Sequence, residues 1–183
     1  MLILEWTLIT EIDEIPPLGD ELEKHLEIQK GHVKHSSCSA WNLLYRTLID
    51  NVLPTGSVAF TATGKPYFLN SSIHFSISHS HGVCAVAVAD MPVGVDVEQI
   101  RAIYPQHLIE RSLNENEKAV YDGDFTHIWC RKEAVAKMTG EGIAGYPQNI
   151  DTTTYVFNEK QVEWIGQKYW LVSTTIADRV GAQ

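Results

Sequence analysis

Residues 93–98 carry the strongest chemical signal in the sequence. Valines and acidic residues alternate there as in a β-strand, which puts Asp96 and Glu98 on one face and the valines on the other. Two carboxylates about 7 Å apart on one face repel each other unless a cation lies between them. The stretch therefore predicts either a cation site or an exposed acidic strand.

Residues 129–137 are predicted to form a helix with a second set of polar groups. Trp129, Glu133 and Lys137 follow one another at intervals of four residues, so they line one side of that helix. The neighbouring Arg131 and Lys132 are predicted to be solvated or to lie at a rim.

Together the two stretches predict a divalent metal that faces an anionic substrate. Asp96, Glu98 and Glu133 offer the hard oxygen ligands with which Mg²⁺ is held, and phosphate oxygens and water complete such sites. Lys137 lies one helical turn beyond Glu133. Two plainer alternatives stay open: a solvated acidic strand, and an ordinary Glu–Lys pair worth ~0.2–0.5 kcal/mol. The apolar run at 83–89 favours a central position, where unpaired acids would be costly.

His79 follows another predicted strand, residues 73–77, and stands among serines. A protonated histidine there could pair with a phosphate. His81 and Cys84 raise the alternative of a zinc site, although the tight paired spacing of zinc motifs is missing. A plain turn histidine is the simplest alternative.

The composition excludes several classes of function. The 183-residue chain has 14 basic and 23 acidic residues and a net charge of −9, so it is a poor general binder of nucleic acid or anionic membrane. It has no apolar run long enough to span a membrane and no signal-peptide pattern. Three scattered cysteines favour the cytoplasm. The common nucleotide-hydrolase, acyl-hydrolase, zinc-protease and dinucleotide motifs are missing.

The order of predicted elements indicates an α+β fold with two similar lobes, about 1–90 and 91–183, and sites in the cleft between them. Helices are predicted at 20–30, at 37–50, from 105, from 114 to about 121, and around 129–138. Strands are predicted at 2–9, 58–60, 73–77, 83–89, 93–98, 153–157, 161–165 and 168–176.

Capping signals mark the ends of the later helices. Asn114 and Glu117 have the spacing of a capping box. Asp124 can cap the start of the helix that contains Trp129, and Gly140 is placed to end it.

Four motifs taken together resemble those of the surfactin-synthetase-type 4′-phosphopantetheinyl transferases. Their order and spacing match from about residue 60 to residue 145, and four ordered motifs are specific where any single one is weak. They are Gly64-Lys65-Pro66, Phe75-Ser76-Ile77-Ser78-His79-Ser80, Val93-Gly94-Val95-Asp96-Val97-Glu98 and Trp129-Cys130-Arg131-Lys132-Glu133-Ala134-x-x-Lys137.

The resemblance implies one unit over residues 1–183, with two lobes related by pseudo-two-fold symmetry and the active site between them. It also implies transfer of the phosphopantetheine arm of coenzyme A to a serine of an acyl or peptidyl carrier protein, with release of adenosine 3′,5′-bisphosphate. Such an enzyme serves fatty-acid or secondary-metabolite biosynthesis. We expect a cytoplasmic monomer that binds neither nucleic acid nor membrane.

The resemblance also assigns roles to catalytic and metal-binding residues. Asp96, Glu98 and Glu133 would hold Mg²⁺, or Mn²⁺ in its place, on the pyrophosphate. Lys137 would contact the phosphate under attack. Glu133, or a water on the metal, would take the proton of the carrier serine.

Coenzyme A would be bound by residues of the first two motifs. His79 would contact a phosphate of coenzyme A, and Ser78 would belong to the same binding site. Lys65, with its neighbours Gly64 and Pro66, would lie at the 3′-phosphate end of the adenosine.

The N-terminal part departs from the family pattern. The family usually has an arginine before its Leu-Leu-x-Arg-like helix, which is Leu43-Leu44-Tyr45-Arg46 here. At that place the chain has Ser36 and Ser37, and Lys30, Lys34 or His35 would have to supply the phosphate contact. Two other functions are considered: a non-catalytic relative that binds coenzyme A or a carrier protein, and an unrelated Mg²⁺-dependent phosphoryl enzyme.

Overall fold

Two three-stranded antiparallel sheets, with helices packed against them, form the frame of the molecule. The computed structural model describes residues 1–143 and 145–178. The strands are β1 (Leu2–Leu8), β2 (Val58–Phe60), β3 (Pro66–Phe68), β4 (His74–Ser80), β5 (Val83–Ala89), β6 (Val93–Gln99), β7 (Asn158–Trp164) and β8 (Gln167–Thr175). The helices are α1 (Asp20–Glu27), α2 (Gly31–Asp50), α3 (Gln106–Ser112), α4 (Glu115–Val120) and α5 (Phe125–Thr139).

Both sheets are assembled in the same order along the chain. Each has an opening strand, then helices, then a hairpin whose last strand lies in the middle of the sheet. The resulting orders are β1-β5-β4 and β6-β8-β7, with β2 and β3 as a separate pair. The predicted mixed α+β fold is confirmed. None of the helices in the described ranges is both long and apolar enough to cross a membrane.

Strand β5 lies at the centre of the fold because both of its faces are apolar. All seven of its residues are buried. Alternate residues from Cys84 to Val88 pack against α2 in one core, and alternate residues from Val83 to Ala89 pack against the second sheet in another. The prediction of a buried central strand at 83–89 is confirmed.

Strands β4 and β6 are edge strands of their own sheets and are joined by serine hydroxyls. The backbone N–H of Val95 donates to Ser76 Oγ over 3.1 Å, and that of Val97 donates to Ser78 Oγ over 3.3 Å. These N–H groups lie on the edge of β6 away from β8, where a buried donor needs another partner. We name Ser76, Ser78 and Ser80, together with the Val95 and Val97 N–H groups and the Glu98 carboxylate that they contact, the serine junction.

Gly94 lets α5 lie directly on β6. A Cβ atom at this position would lie 1.8 Å from the Ala134 carbonyl oxygen and 2.6 Å from the Met138 backbone nitrogen. Only a residue without a side chain therefore permits the observed separation between strand and helix. The close packing brings the polar side of α5 to the acidic face of β6.

The predicted helix caps are confirmed. Asn114 Oδ1 accepts a hydrogen bond from the Glu117 N–H over 2.9 Å, and Glu117 accepts one from the Asn114 N–H over 3.1 Å. At the start of α5, Asp124 accepts a hydrogen bond from the His127 N–H over 3.0 Å. Gly140 ends this helix with a positive φ of 78°.

Several predicted element boundaries are wrong, among them the end of β4, which continues to Ser80 beyond the predicted 73–77. Helix α2 begins at Gly31, so the basic residues at 30–35 lie at its start and not between two helices. Residues 153–157 do not form a strand, because Asp151 accepts hydrogen bonds from the N–H and hydroxyl groups of Thr153 and starts a short turn at Thr152–Thr154.

Lys132 is fully buried, so the prediction that it is solvated is wrong. Its Nζ lies 2.6 Å from Glu117 Oε2 and donates to the carbonyl oxygens of Pro147 and Ile150. A buried ammonium is tolerated only with such partners. The pair ties α4, α5 and the segment after α5 to one another.

Candidate active site

Asp96 is the buried centre of a polar cluster beside the serine junction. Its side chain is on β6 and the residue is only 3% exposed. Ser78 Oγ donates to Asp96 Oδ1 over 2.7 Å, and Lys137 Nζ donates to the same oxygen over 2.6 Å. Lys137 Nζ also donates to Ser78 Oγ over 2.8 Å. A strand of the first sheet, a strand of the second sheet and α5 therefore meet at one carboxylate.

Lys137 is held as a cation at this point. Burial alone would lower the pKa of its ammonium, but the attraction and hydrogen bond of Asp96 outweigh burial and raise the pKa. The side chain keeps 31% of its surface exposed, so it can still meet a ligand. The simple Glu133–Lys137 pair that the helical spacing suggested is replaced by a pair between Lys137 and Asp96 on a different element.

Glu98 and Glu133 add two further carboxylates. Glu98 lies two residues beyond Asp96 on β6, and its Oε2 accepts a hydrogen bond from Ser80 Oγ over 3.0 Å. Glu133 lies one helical turn before Lys137 on α5. Burial, followed by repulsion from Asp96, raises the pKa of both glutamates. Both carboxylates are therefore withdrawn from water close to another anion, where a cation would favour their charged forms.

Eight of the nine residues predicted to form the site line one pocket, which we name the main pocket. It is bounded by both sheets, α1, α2 and α5. The eight predicted site residues that line it are Gly64, Pro66, Ser78, His79, Asp96, Glu98, Glu133 and Lys137. The ninth, Lys65, lines an adjoining side pocket that shares Gly64, Pro66, Glu133 and Lys137 with the main pocket.

Lys65 is engaged with the end of α5. Its Nζ donates to the Met138 carbonyl oxygen over 2.6 Å, which is a favourable place for a cation because helix C-termini carry partial negative charge. Burial lowers the pKa of Lys65. An ammonium has three donors, so this contact leaves others for a ligand.

His79 extends from β4 into the opening of the main pocket. Its side chain is exposed, and its place is the strand itself and not the turn that follows. Partial burial of the ring, and then the charge of Lys137, lower its pKa below the usual value of 6.5. The ring is therefore mostly neutral at pH 7 until an anion binds beside it and favours the protonated form.

The donor set fits a divalent cation in one specific respect. Asp96 Oδ2 is buried and has no hydrogen-bond partner, although its Oδ1 has two. A buried carboxylate oxygen without a partner is costly, and a hard cation would satisfy it. Within residues 1–143 and 145–178, no three His, Cys, Asp or Glu side chains already stand close enough to form a metal centre. Asp96, Glu98 and Glu133 as metal ligands therefore stay a prediction.

The structure adds pocket residues for which the sequence gave no signal. His25 of α1, Trp41 of α2 and Phe60 of β2 line the main pocket, and the His25 and Phe60 rings lie 4.8 Å apart. None belongs to a recognisable motif. Ser37, one of the two serines at the position of the usual arginine, also lines it.

The three residues suggested as replacements for that arginine lie elsewhere. Lys34 and His35 face Asp13, at 3.9 and 3.4 Å. His35 lines a neighbouring pocket that also contains His79. Lys30 precedes the first turn of α2. Their role in phosphate binding stays a prediction.

A family model described as the 4′-phosphopantetheinyl transferase superfamily matches residues 92–175. The chain is 35% identical over 160 residues to the 4′-phosphopantetheinyl transferase psf-1 of Bacillus pumilus. This match covers 72% of this chain and 68% of that protein. It is 34% identical over 113 residues to the transferase gsp of Aneurinibacillus migulanus, covering 55% of this chain and 47% of the relative. The transferase ffp of Bacillus subtilis is 32% identical over 117 residues, and the match covers 51% of it. The chain thus spans about half the length of the latter two relatives.

Proposed function

The chain belongs to the 4′-phosphopantetheinyl transferase superfamily, a family of enzymes, and we propose that it moves the phosphopantetheine arm of coenzyme A to a serine of an acyl or peptidyl carrier protein. One observation carries the proposal. The four ordered sequence motifs line two adjoining pockets, and Lys137 of the Lys137–Asp96–Ser78 cluster lines both of them.

The cations of the pocket would bind the phosphates of coenzyme A. Lys137 stays charged because its pKa is raised, and it would neutralise the phosphate that is attacked. His79 would gain a proton as an anion binds, and the Ser78 hydroxyl adds a hydrogen-bonding group. Lys65, with Gly64 and Pro66, would lie along the adenosine end.

In the transfer step the hydroxyl oxygen of the carrier serine forms a bond to the pyrophosphate phosphorus that bears the pantetheine arm. The bond from that phosphorus to the bridging oxygen breaks, and adenosine 3′,5′-bisphosphate leaves with the electron pair. Glu133, or a water on the metal, would take the serine proton. Lys137 stabilises the charge that develops on the phosphoryl oxygens.

Asp96, Glu98 and Glu133 would hold Mg²⁺, with Mn²⁺ as an alternative. A bound divalent cation supplies neutralisation of the pyrophosphate charge. The free Oδ2 of Asp96 and the raised pKa values of the two glutamates support this assignment.

We also propose that the chain is a single unit of two lobes, about 1–90 and 91–183, related by pseudo-two-fold symmetry, with the active site in the cleft between them. The shared order of strands in the two sheets supports the symmetry. Lining residues from both halves support the position of the site. As partners we propose coenzyme A and a carrier protein, with the enzyme acting as a cytoplasmic monomer and not on nucleic acid or membranes.

The test is intact-mass spectrometry of several apo acyl and peptidyl carrier proteins incubated with the protein, coenzyme A and Mg²⁺. We expect a gain of one phosphopantetheine arm that is lost when EDTA is added. Coenzyme A binding without any gain on any carrier would favour the non-catalytic relative. A protein that does not bind coenzyme A would contradict the proposal.

A further inference from the structure

A turn in the first half of the chain is hydrogen-bonded to the end of α5. Thr63 Oγ1 donates to the Gly140 carbonyl oxygen over 2.9 Å, and Lys65 Nζ donates to the Met138 carbonyl oxygen over 2.6 Å. Carbonyl groups at the end of a helix have no partner within the helix. We name Thr63, Lys65 and these two carbonyl groups the turn–helix clamp.

The turn itself is closely tied together. Thr61 Oγ1 lies 2.9 Å from Thr63 Oγ1 and accepts a hydrogen bond from the Lys65 N–H over 3.0 Å. The Gly64 N–H donates to the Thr61 carbonyl oxygen over 2.9 Å. A Cβ atom on Gly140 would lie 3.0 Å from Lys65 Cδ, so turn and helix end are in close contact. A rigid turn in such contact can fix the position of the helix end.

The clamp lies at the wall of the side pocket. Thr63 and Lys65 line this pocket from the turn, and Glu133 and Lys137 line it from α5. Lys137 immediately precedes Met138, whose carbonyl group accepts the bond from Lys65. The position of Lys137 at Asp96 is therefore linked to the position of the turn.

We propose that Thr63 is a positioning residue, which acts through the backbone of α5 to hold Lys137 and Glu133 in place. This inference rests on the proposed function for its kinetic consequence. The Thr63 hydroxyl donates its only proton to Gly140 and shares a second hydrogen bond with Thr61. Lys65 keeps donors for a ligand, whereas Thr63 acts on the helix.

Three variants separate positioning from ligand contact. Thr63→Val removes the hydroxyl and keeps the shape, and Thr63→Ser keeps the hydroxyl. Thr154→Val is a matched control, because Thr154 Oγ1 also donates to a backbone carbonyl group, that of Asp151, over 2.8 Å, and does not line either pocket.

We expect Thr63→Val to lower kcat for carrier modification about 3- to 10-fold, the size expected for one hydrogen bond, with KM for coenzyme A within about twofold. Thr63→Ser should restore kcat to within about twofold, and Thr154→Val should leave it unchanged. A raised KM for coenzyme A with normal kcat would show that Thr63 contacts the ligand and would overturn the proposal.

Hydrogen exchange of the ligand-free protein gives a readout that does not need activity. The backbone amides of residues 137–140 should exchange faster in Thr63→Val, and at the normal rate in Thr63→Ser and Thr154→Val. Unchanged exchange in Thr63→Val would refute the clamp. A wild-type protein without transfer activity would count against the proposed function, while this comparison would still decide the role of Thr63.

Discussion

The two halves of the chain share one order of strands and use the same strand position in opposite ways. Glu5 is the fourth residue of β1 and pairs with Val86 of the central strand, as Asp96 is the fourth residue of β6 and pairs with Val172. Glu5 is exposed, whereas Asp96 is buried under α5. The order of strands alone therefore does not decide whether the acidic residue at this position is buried. The packing of α5 on β6 does.

The two halves also differ in the residue that sets the distance between the first strand of the sheet and the helix packed on it. Ile3 is the second residue of β1 and Gly94 is the second residue of β6. Ile3 packs against the core that α2 shares with the first sheet, so side chains separate helix and strand there. At Gly94 the α5 backbone is in direct contact with β6. The second half thereby brings charged groups close together beneath its helix, whereas β1 and α2 of the first half meet in an apolar core.

The largest expected effect comes from removing the buried acid. Asp96→Ala should lower transfer at least about 10⁴-fold, ~5 kcal/mol in the barrier, because Lys137 would lose its partner and the proposed metal site its buried carboxylate. Transfer is measured as the gain in mass of the carrier protein, and circular dichroism checks that the variant is folded. Glu5→Ala, the same change in the first half, should leave the rate unchanged. Near-normal activity of Asp96→Ala would contradict both proposed roles of Asp96, as the partner of Lys137 and as a metal ligand.

Breaking the buried ion pair of the second half should have the next largest effect. Lys132→Met leaves Glu117 without its cation and should lower the free energy of unfolding by about 3–4 kcal/mol. Urea denaturation measures it. Adding Glu117→Gln should recover part of the loss. In the first half, Lys34→Met removes a pair 3.9 Å apart and should change stability by less than ~0.5 kcal/mol. Equal losses would show that burial of the pair is unimportant.

Gly94→Ala tests the contact between β6 and α5. The added methyl group must push the helix away, so we expect a loss of about 2–3 kcal/mol in unfolding free energy together with a lower transfer rate. Ile3→Val at the corresponding position of β1 should cost about 1 kcal/mol and spare activity. A Gly94→Ala protein as stable and active as the wild type would mean that α5 can shift without consequence.

The smallest expected effect is a pH dependence at the outer side of α5. Glu159 accepts hydrogen bonds from Arg131 over 2.6 and 2.9 Å and from His127 over 2.9 Å. Burial raises the pKa of Glu159, but these hydrogen bonds and charges outweigh it and lower the pKa from 4.5 to about 2. Because the folded-state pKa lies below the unfolded one, the stabilisation is present above about pH 4.5 and is lost toward pH 2.

Acid denaturation of Glu159→Gln checks this sign. Between about pH 4.5 and pH 2, the free energy of unfolding of the wild type should fall by about 1–2 kcal/mol more than that of the variant. Parallel stability curves for the two proteins would show that the carboxylate contributes nothing through its charge.

The elements of both halves that follow a local pattern could be predicted from the sequence. Alternation identified β6, and helical spacing with Asp124 and Gly140 identified α5 and its ends. Hydrophobic composition on both faces identified β5 as central. Each of these signals is contained within one element, so no knowledge of partners was needed.

Features that depend on distant partners could not be predicted. Lys132 looks like a surface residue until Glu117, 15 positions earlier, and the carbonyl group of Pro147 are placed around it. The contact of Lys65 with Met138 joins residues 73 positions apart. His25 lies on α1, whose sequence shows only an amphipathic pattern, and reaches the pocket because of how α1 packs.

The serine junction has a consequence for solubility. An edge strand with free backbone donors can recruit a strand from another molecule and so begin aggregation. Here the edges of β4 and β6 face each other, and two N–H groups of β6 are already bound to serine hydroxyls. A foreign strand can add at this place only by displacing those hydroxyls. Ser78, which also donates to Asp96, therefore protects the folded chain against edge-to-edge association together with Ser76.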